Sequence, residues 1–543
     1  MANRECPVRM ESKLGPQYDT NRPAARDLAA RPGGENRRRP LPAAYPLCYA
    51  ARRSEMSNRS ASTILAAVRA AASRRPDAPA LVAPREVVTY AALESRAASV
   101  ASQLAGIAGD VVGLLHPNAP GFAAGLLGAL WAGKTVAVLP WVAPAPLLRL
   151  MAAEAGFRTV LAAEELAPRA AEAGLEPILA VRTDPGTAPA PDPPLRPPAL
   201  DAAVLLYTSG TTGRPKAVAL TDLNLLSNVE GCRVAGEFTA EDVMLAILPL
   251  FHAFGLTVTL LLPLTLGGKV ILEDRFVPRT SLQSVATHRV TAMIGVPSQF
   301  RLLAREPAEV DATCLRLCIA GAERLGDHVR EAFEQRFSRP LLQGYGATEA
   351  SPVVSFNRPG HNRPGSVGLP LPNVRVSIRE EMREFPAGQH GEVCVEGPSI
   401  MLGYFHQPEA TAAKIPEGVL HTGDRGWLDT EGYLHLTGRA DDMIKVAGEK
   451  VYPAEIESVL EAVEGVEEAA VIGVDDPVRG AALAAFVAAR PGTTLEAAAV
   501  RAACRDRLDA AHVPRAITVV EQLPRSASGK VDKKTLLELA MRA

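Results

Sequence analysis

Between residues 110 and 321, short aliphatic runs alternate with alanine-rich stretches of helical length, and this alternation restricts the fold more than any other property of the chain. The runs are DVVGLL at 110–115, TVAVLP at 135–140, TVLAAE at 159–164, AVLLYT at 203–208, VILED at 270–274, AMIGV at 292–296 and LRLCIAG at 315–321. They are too short for buried helices. Most are apolar at nearly every position rather than every second one, the pattern of strands covered on both faces. AAGLLGALWAG, LLRLMAAEAG and SLQSVATHR lie between them and suit crossover helices, so an α/β body with parallel-rich sheets is expected. After about residue 366 the texture changes to strands punctuated by glycine (VGLPLPNVRVSI, GEVCVEG, GYLHLTG), which predicts a smaller antiparallel subdomain. Beyond Arg439, AEIESVLEAVEG, AAVIGV, AALAAFVAA, a helix at about 495–510 and AITVV predict a small α/β C-terminal domain.

At 543 residues the chain has room for two to four domains. The expected division is a tail at 1–55, an N-terminal body at 56–440 and a C-terminal domain at 441–543, which the family resemblance given below implies to be a mobile lid. The first 55 residues carry 11 Lys/Arg against 6 Asp/Glu and scattered prolines, without a periodic apolar run before Leu41. They read as a disordered tail or an over-extended start, with an ordinary domain opening after Met56. A helix over Ser62–Ser73 would place Ile64, Leu65, Val68 and Ala72 on one stripe. Net charge of −2 argues against a protein built to neutralise phosphate backbones. Seven scattered cysteines form no disulfide framework, and Cys314 and Cys318 have no companion pair for a zinc site; a reducing, cytoplasmic location is expected. Residues 243–268 lack any Asp, Glu, Lys or Arg for 26 positions, but Pro249, His252 and Pro263 interrupt them, so they read as a strand, turn and core helix rather than a membrane span.

The richest local chemistry lies in Tyr207-Thr-Ser-Gly-Thr-Thr-Gly-Arg-Pro-Lys216, which follows the apolar run Ala202–Leu206. A buried strand thus delivers a loop of glycines and hydroxyls. Gly210 and Gly213 permit tight turns, Thr208, Ser209, Thr211 and Thr212 offer hydroxyl donors to phosphate oxygens, and Lys216 adds positive charge. The GxxxxGK[ST] spacing of P-loop NTPases is not met.

This loop resembles the signature of the AMP-forming adenylating enzymes, a superfamily of acyl-CoA synthetases, luciferases and peptide-synthetase adenylation domains. PLFHAFG at 249–255, GYGATEA at 344–350, the segment from HTGDRGW to VYPAEIE at 421–457 and PRSASGKVDKK at 524–534 follow in the family's order. The resemblance covers about residues 60–543. It implies that ATP and a carboxylate give an acyl-adenylate, and that a thiol then displaces AMP. Lys530 is the implied adenylation lysine. Thr348 would contact the α-phosphate and Glu349 would hold Mg²⁺. Gly344, Tyr345 and Gly346 would line the adenine and acyl pockets, opposite Gly321, Ala322 and Glu323. Asp424 and Arg439 would hold the ribose, and His252 would gate the acid. Asp441 would be the hinge about which the C-terminal domain turns, exchanging Lys530 for Lys445 and Gly448 at the second step.

Closer similarity to bacterial fatty acyl-CoA and acyl-ACP synthetases, together with the apolar run after His252, implies a medium- or long-chain fatty acid. Aryl acids remain open. The thiol is CoA or that of a holo acyl carrier protein; a fatty acyl-AMP ligase and a non-catalytic scaffold are the other readings. No nucleic-acid partner and no integral membrane span are expected.

Overall fold

The computed structural model describes residues 63–179, 201–209, 215–381, 383–446, 449–476, 480–505, 507–509, 512–525 and 531–542. All of them belong to the compact unit Met56–Ala543. Two parallel-rich sheets make up most of it. The nine-stranded sheet runs Leu369–Pro370, Val353–Phe356, Leu341–Gly346, Leu317–Ala320, Ala292–Gly295, Val243–Ala246, Lys269–Leu272, Pro79–Ala83 and Glu86–Thr89, with the six strands from Leu341–Gly346 to Pro79–Ala83 mutually parallel. The seven-stranded sheet runs Gly403–Tyr404, Pro215–Leu220, Val204–Ser209, Thr135–Val138, Val111–Leu115, Thr159–Ala162 and Glu176–Leu179. Thr135–Val138, Thr159–Ala162, Ala292–Gly295 and Leu317–Ala320 are buried at every position, which is why their sequences show no alternation.

The opening helix spans Ile64–Arg74, with the Thr63 hydroxyl accepting from the Ala66 amide at its N-terminus. It buries Ile64, Leu65, Val68, Ala71 and Ala72, the stripe its period dictates. Cys318 lies inside the strand Leu317–Ala320, so its four-residue spacing from Cys314 is not helical. The uncharged run forms the strand Val243–Ala246, a turn through His252, and a buried helical segment. Its first part, Gly255–Leu261, is wound as a π-helix, a feature its sequence does not announce, and the α-helix Leu262–Leu266 follows. No helix of the described residues is long and apolar enough to cross a membrane.

The smaller subdomain is a five-stranded sheet in the order Arg383–Glu384, Arg375–Glu380, Gly391–Glu396, Leu420–Leu428 and Leu434–Arg439, antiparallel throughout. The chain then builds the short hairpin Ile444–Val446 and Glu449–Val451. A three-stranded sheet of Val466–Asp476, Gly480–Ala489 and Ala516–Val520 follows, accompanied by helices Pro453–Glu461, Ala497–Arg505 and Lys533–Arg542. The helix expected over about 495–510 is therefore shorter, ending at Arg505.

Candidate active site

Asp424 sits near the centre of the strand Leu420–Leu428 and faces Tyr345 on the strand Leu341–Gly346. The Tyr345 hydroxyl donates to Asp424 Oδ2 at 2.5 Å, and Arg439 Nε lies 3.2 Å from Asp424 Oδ1. Arg439 is held there by strand pairing, since Asp424 and Arg439 are register partners. Burial raises the Asp424 carboxyl above its ordinary range, while the Tyr345 hydrogen bond and the charges of Arg439 and Lys414 pull it back. Burial of the hydroxyl end, with the neighbouring Asp424 carboxylate, holds the Tyr345 phenol protonated, so it acts as a donor.

The turn that delivers Asp424 is itself braced. Gly423 has φ of +81°, a conformation that glycine adopts without a Cβ clash. Its amide donates to Glu392 Oε1 at 3.0 Å, and the other Glu392 oxygen lies 2.8 Å from His421 Nδ1. The Thr422 hydroxyl accepts from the Asp424 amide at 3.0 Å, and Lys414 Nζ donates to the Thr422 carbonyl at 2.9 Å. Cys394 Sγ completes a Glu392, Cys394 and His421 group whose ligand-type atoms lie within 4.8 Å of one another. The hydrogen bonds to His421 and the Gly423 amide make Glu392 a brace for the turn that carries Asp424.

Thr348–Ala350 forms a 3-10 turn directly after the Tyr345 strand and presents Glu349. Tyr404 donates to Glu349 Oε1 at 2.9 Å, and Lys216 Nζ stands 5.0 Å from the centroid of the Tyr404 ring. The ring thus separates a carboxylate from a cation that the phosphate-loop hairpin supplies. Thr208 and Lys216 are register partners in that hairpin, Val204–Ser209 with Pro215–Leu220. Its Gly210, Thr211, Thr212 and Gly213 lie outside the described residues, as does the Ser209 side chain.

Gly321 follows the strand Leu317–Ala320, and a Cβ added there would lie 2.8 Å from Phe254 Cε1. The missing side chain is what lets the Phe254 ring close against this wall. Ala322 adopts φ of +69°, and Glu323 Oε1 lies 4.0 Å from Arg525 of the C-terminal domain. His252 packs at 4.5 Å from the Phe251 ring, two residues before Phe254. Gly344 and Gly346 lie on the Tyr345 strand.

The fold therefore brings Tyr345, Asp424 and Arg439 into contact, and sets Glu349 and Thr348 on the turn that continues the same strand. Lys445 is exposed on Ile444–Val446 and makes no hydrogen bond or ion pair with the other described residues; Asp441 is also exposed. Lys530 and Gly448 lie outside the described residues. Tyr404, Glu392, Thr422, Lys414 and Arg525 escaped the sequence reading as contributors. Each acts by holding another residue, and nothing in its own neighbourhood signals that partner.

Residues 68–405 match the family described as AMP-binding enzyme, and residues 455–530 match the AMP-binding enzyme C-terminal domain. The chain is 38% identical over 348 residues to the long-chain-fatty-acid–CoA ligase of Bacillus subtilis strain 168, a match covering 63% of this chain and 62% of that protein. It is 35% identical over 455 residues to the feruloyl-CoA synthase of an Amycolatopsis species, covering 82% and 92% of the two chains. The crystal structure of ATP-bound MatB from Rhodopseudomonas palustris superposes with a TM-score of 0.80 at 30% identity, covering 88% of this chain and 98% of that one.

Proposed function

The chain belongs to the AMP-binding enzyme family, and from that premise we propose that it joins a carboxylic acid to the thiol of CoA, cleaving ATP to AMP and pyrophosphate. The observation that carries this reading is the Tyr345–Asp424–Arg439 cluster, joined through one strand and turn to Glu349. A carboxylate with two oxygens and a fixed guanidinium beside it suits a ribose diol, whose hydroxyls donate to the acid and accept from the arginine. Phosphates of the same nucleotide would then reach toward Thr348, Glu349 and the Lys216 hairpin.

In the first half-reaction the substrate carboxylate attacks the α-phosphorus and pyrophosphate leaves. Lys530, as the family resemblance implies, neutralises charge on the carboxylate and the α-phosphate oxygens. In the second, the thiol attacks the acyl carbon and AMP leaves, with the C-terminal domain turned at Asp441 so that Lys445 and Gly448 replace Lys530. Glu349 suits Mg²⁺: Tyr404 engages one of its oxygens, and a divalent ion bridging phosphates needs only one or two protein carboxylates. Bound there, the ion would supply charge neutralisation on the polyphosphate.

For the acid we propose an aryl or other compact apolar acid. The Phe254 ring against Gly321 makes a short aromatic wall, and the feruloyl-CoA synthase match covers 82% of this chain and 92% of that protein. A long-chain fatty acid is the second reading, favoured by the Bacillus match. The apolar run itself says little about chain length: Leu256, Leu260, Leu262 and Leu264 are fully buried in core packing. CoA is preferred to a carrier protein because the Bacillus and Amycolatopsis relatives are a CoA ligase and a CoA synthase.

Purified protein with ATP, Mg²⁺ and a graded set of benzoic, cinnamic, short-chain and long-chain acids tests this directly. Pyrophosphate release and thioester mass are followed with CoA or holo carrier protein as acceptor. Turnover confined to long-chain acids would overturn the compact-acid reading. No adenylate from any acid would overturn the ligase reading itself.

A further inference from the structure

The seam between the body and the C-terminal domain carries a charge pattern that the ribose and phosphate contacts leave unexplained. On the body, helix Pro297–Arg305 places Arg301 and Arg305 one turn apart, on one face. Across the seam stand Glu467 and Glu468, adjacent residues on the strand Val466–Asp476. Arg301 Nη1 lies 3.1 Å from Glu467 Oε1 and 3.0 Å from Glu468 Oε1, and Arg305 Nη1 lies 2.8 Å from Glu467 Oε1.

Two neighbouring strand residues ordinarily point to opposite faces of the sheet. Here they do not, because the register slips between them: Val466 pairs with Ala489 and Glu468 with Ala488, leaving Glu467 as the extra residue of a bulge. The bulge turns both carboxylates toward the arginines. Glu468 is also paired with Arg525 of its own domain, and Arg525 reaches Glu323 on the body at 4.0 Å. A further pair, Arg324 with Glu461, spans the seam at 3.0 Å. Only 10% of the Glu467 side chain and 16% of that of Arg301 are exposed, so this central pair is substantially withdrawn from water while the domains are together, with Arg305 and Arg324 half-exposed around it. Parting the domains rehydrates them all, which makes the seam strong in place and cheap to release.

We propose that Arg301 and Arg305, facing the bulged pair Glu467 and Glu468, are positioning residues that hold the C-terminal domain in its adenylating orientation, so that their release governs passage to the thiol step. The proposal rests on the two-step ligase reading above. The orientation is identified by Arg525, which sits beside the Glu323 wall and five residues before Lys530, while Lys445 remains exposed and unpaired among the described residues.

The test separates the half-reactions. The double charge reversal Arg301→Glu with Arg305→Glu is expected to lower ATP–pyrophosphate exchange by at least about ten-fold. Thioester formation from chemically supplied acyl-adenylate should stay within about two-fold of the parent, or rise. Adding Glu467→Arg and Glu468→Arg should restore exchange. Equal loss in both half-reactions, or no loss in either, overturns the proposal, as does failure of the compensating pair to restore exchange in a protein with an unchanged melting temperature. A second readout does not depend on turnover. With fluorophores at exposed Glu331→Cys and Glu496→Cys, the parent protein should show one narrow distance distribution and the charge-reversed protein a broad one. A broadened distribution in a protein that adenylates no acid would remove the ligase reading and keep the latch. An unchanged distribution in an active enzyme would do the reverse.

Discussion

The Asp424 cleft and the interdomain seam are both built from carboxylates facing arginines, yet they serve opposite ends. At the cleft, Asp424 and Arg439 belong to adjacent strands of one sheet, and Tyr345 arrives from the central sheet of the same body. No domain motion is needed to form or break these contacts. At the seam, acids of the C-terminal domain meet arginines of the body, several of them half-exposed, such as Arg305 and Arg324 at 43% and 45%. The cleft is a fixed receptor, and the seam is a reversible joint. The contrast teaches that the same ion-pair chemistry is rigid or switchable according to whether backbone hydrogen bonds tie both partners together.

The strongest way to break the comparison is Lys530→Ala. If the seam exists to deliver this residue, exchange should fall on the order of 10³-fold while thiolation of supplied adenylate survives, as single-turnover assays would report. Equal loss of both steps would mean the C-terminal domain is not exchanged between them. Next in size, Asp424→Ala should raise the KM for ATP by roughly 10- to 100-fold, the value of about one hydrogen bond to a charged acceptor. That loss should be insensitive to salt up to molar concentrations, whereas seam variants should respond to it. A smaller effect is expected of Tyr404→Phe, which frees Glu349 from its donor. The Mg²⁺ concentration giving half-maximal rate should shift by about ten-fold, with the KM for the acid unmoved.

The last prediction concerns pH. Burial, aided by Glu457 and Glu468, pushes the Glu461 carboxyl up to about 7 against the opposing pull of Arg324. A carboxyl raised above its unfolded value stabilises fully below about 4.5, and that contribution is lost as pH rises through about 7. Glu461→Gln should therefore gain stability relative to the parent between pH 5 and pH 8, on the order of 1–2 kcal/mol in denaturant titrations. A flat difference over that window would show that Glu461 titrates normally and that the seam is wetter than its packing indicates.

Much of the body was legible because its signals are local. Unbroken apolar runs such as TVAV and AMIG encode strands covered on both sides, and the hydroxyl-rich loop follows its strand directly. The motifs also supplied Tyr345, Asp424 and Arg439, but not the contact between Tyr345 and Asp424, which are 79 positions apart in the chain. Tyr404 sits in GYFHQPE, where nothing marks it as a partner of Glu349. The π-helical winding of Gly255–Leu261 is a property of how that segment packs, and its composition reads equally well as an ordinary helix. Arg525 stood inside the quoted PRSASGK motif, yet its value depends on Glu323 and Glu468, whose positions only the assembled fold determines.

The bulge at Glu467 carries a genetic consequence. Substituting Glu467 subtracts one charge, whereas deleting it would also close the bulge, leaving Val466 opposite Ala489 and Glu468 opposite Ala488 in regular alternation. Glu467 alone would leave the arginines, and the sheet itself could close without a gap. A loss of three nucleotides thus removes the acid that Arg305 faces without disturbing the pairing of Glu468 with Ala488. Lineages that trade adenylation rate for rapid acyl transfer should carry a strand one residue shorter at this place.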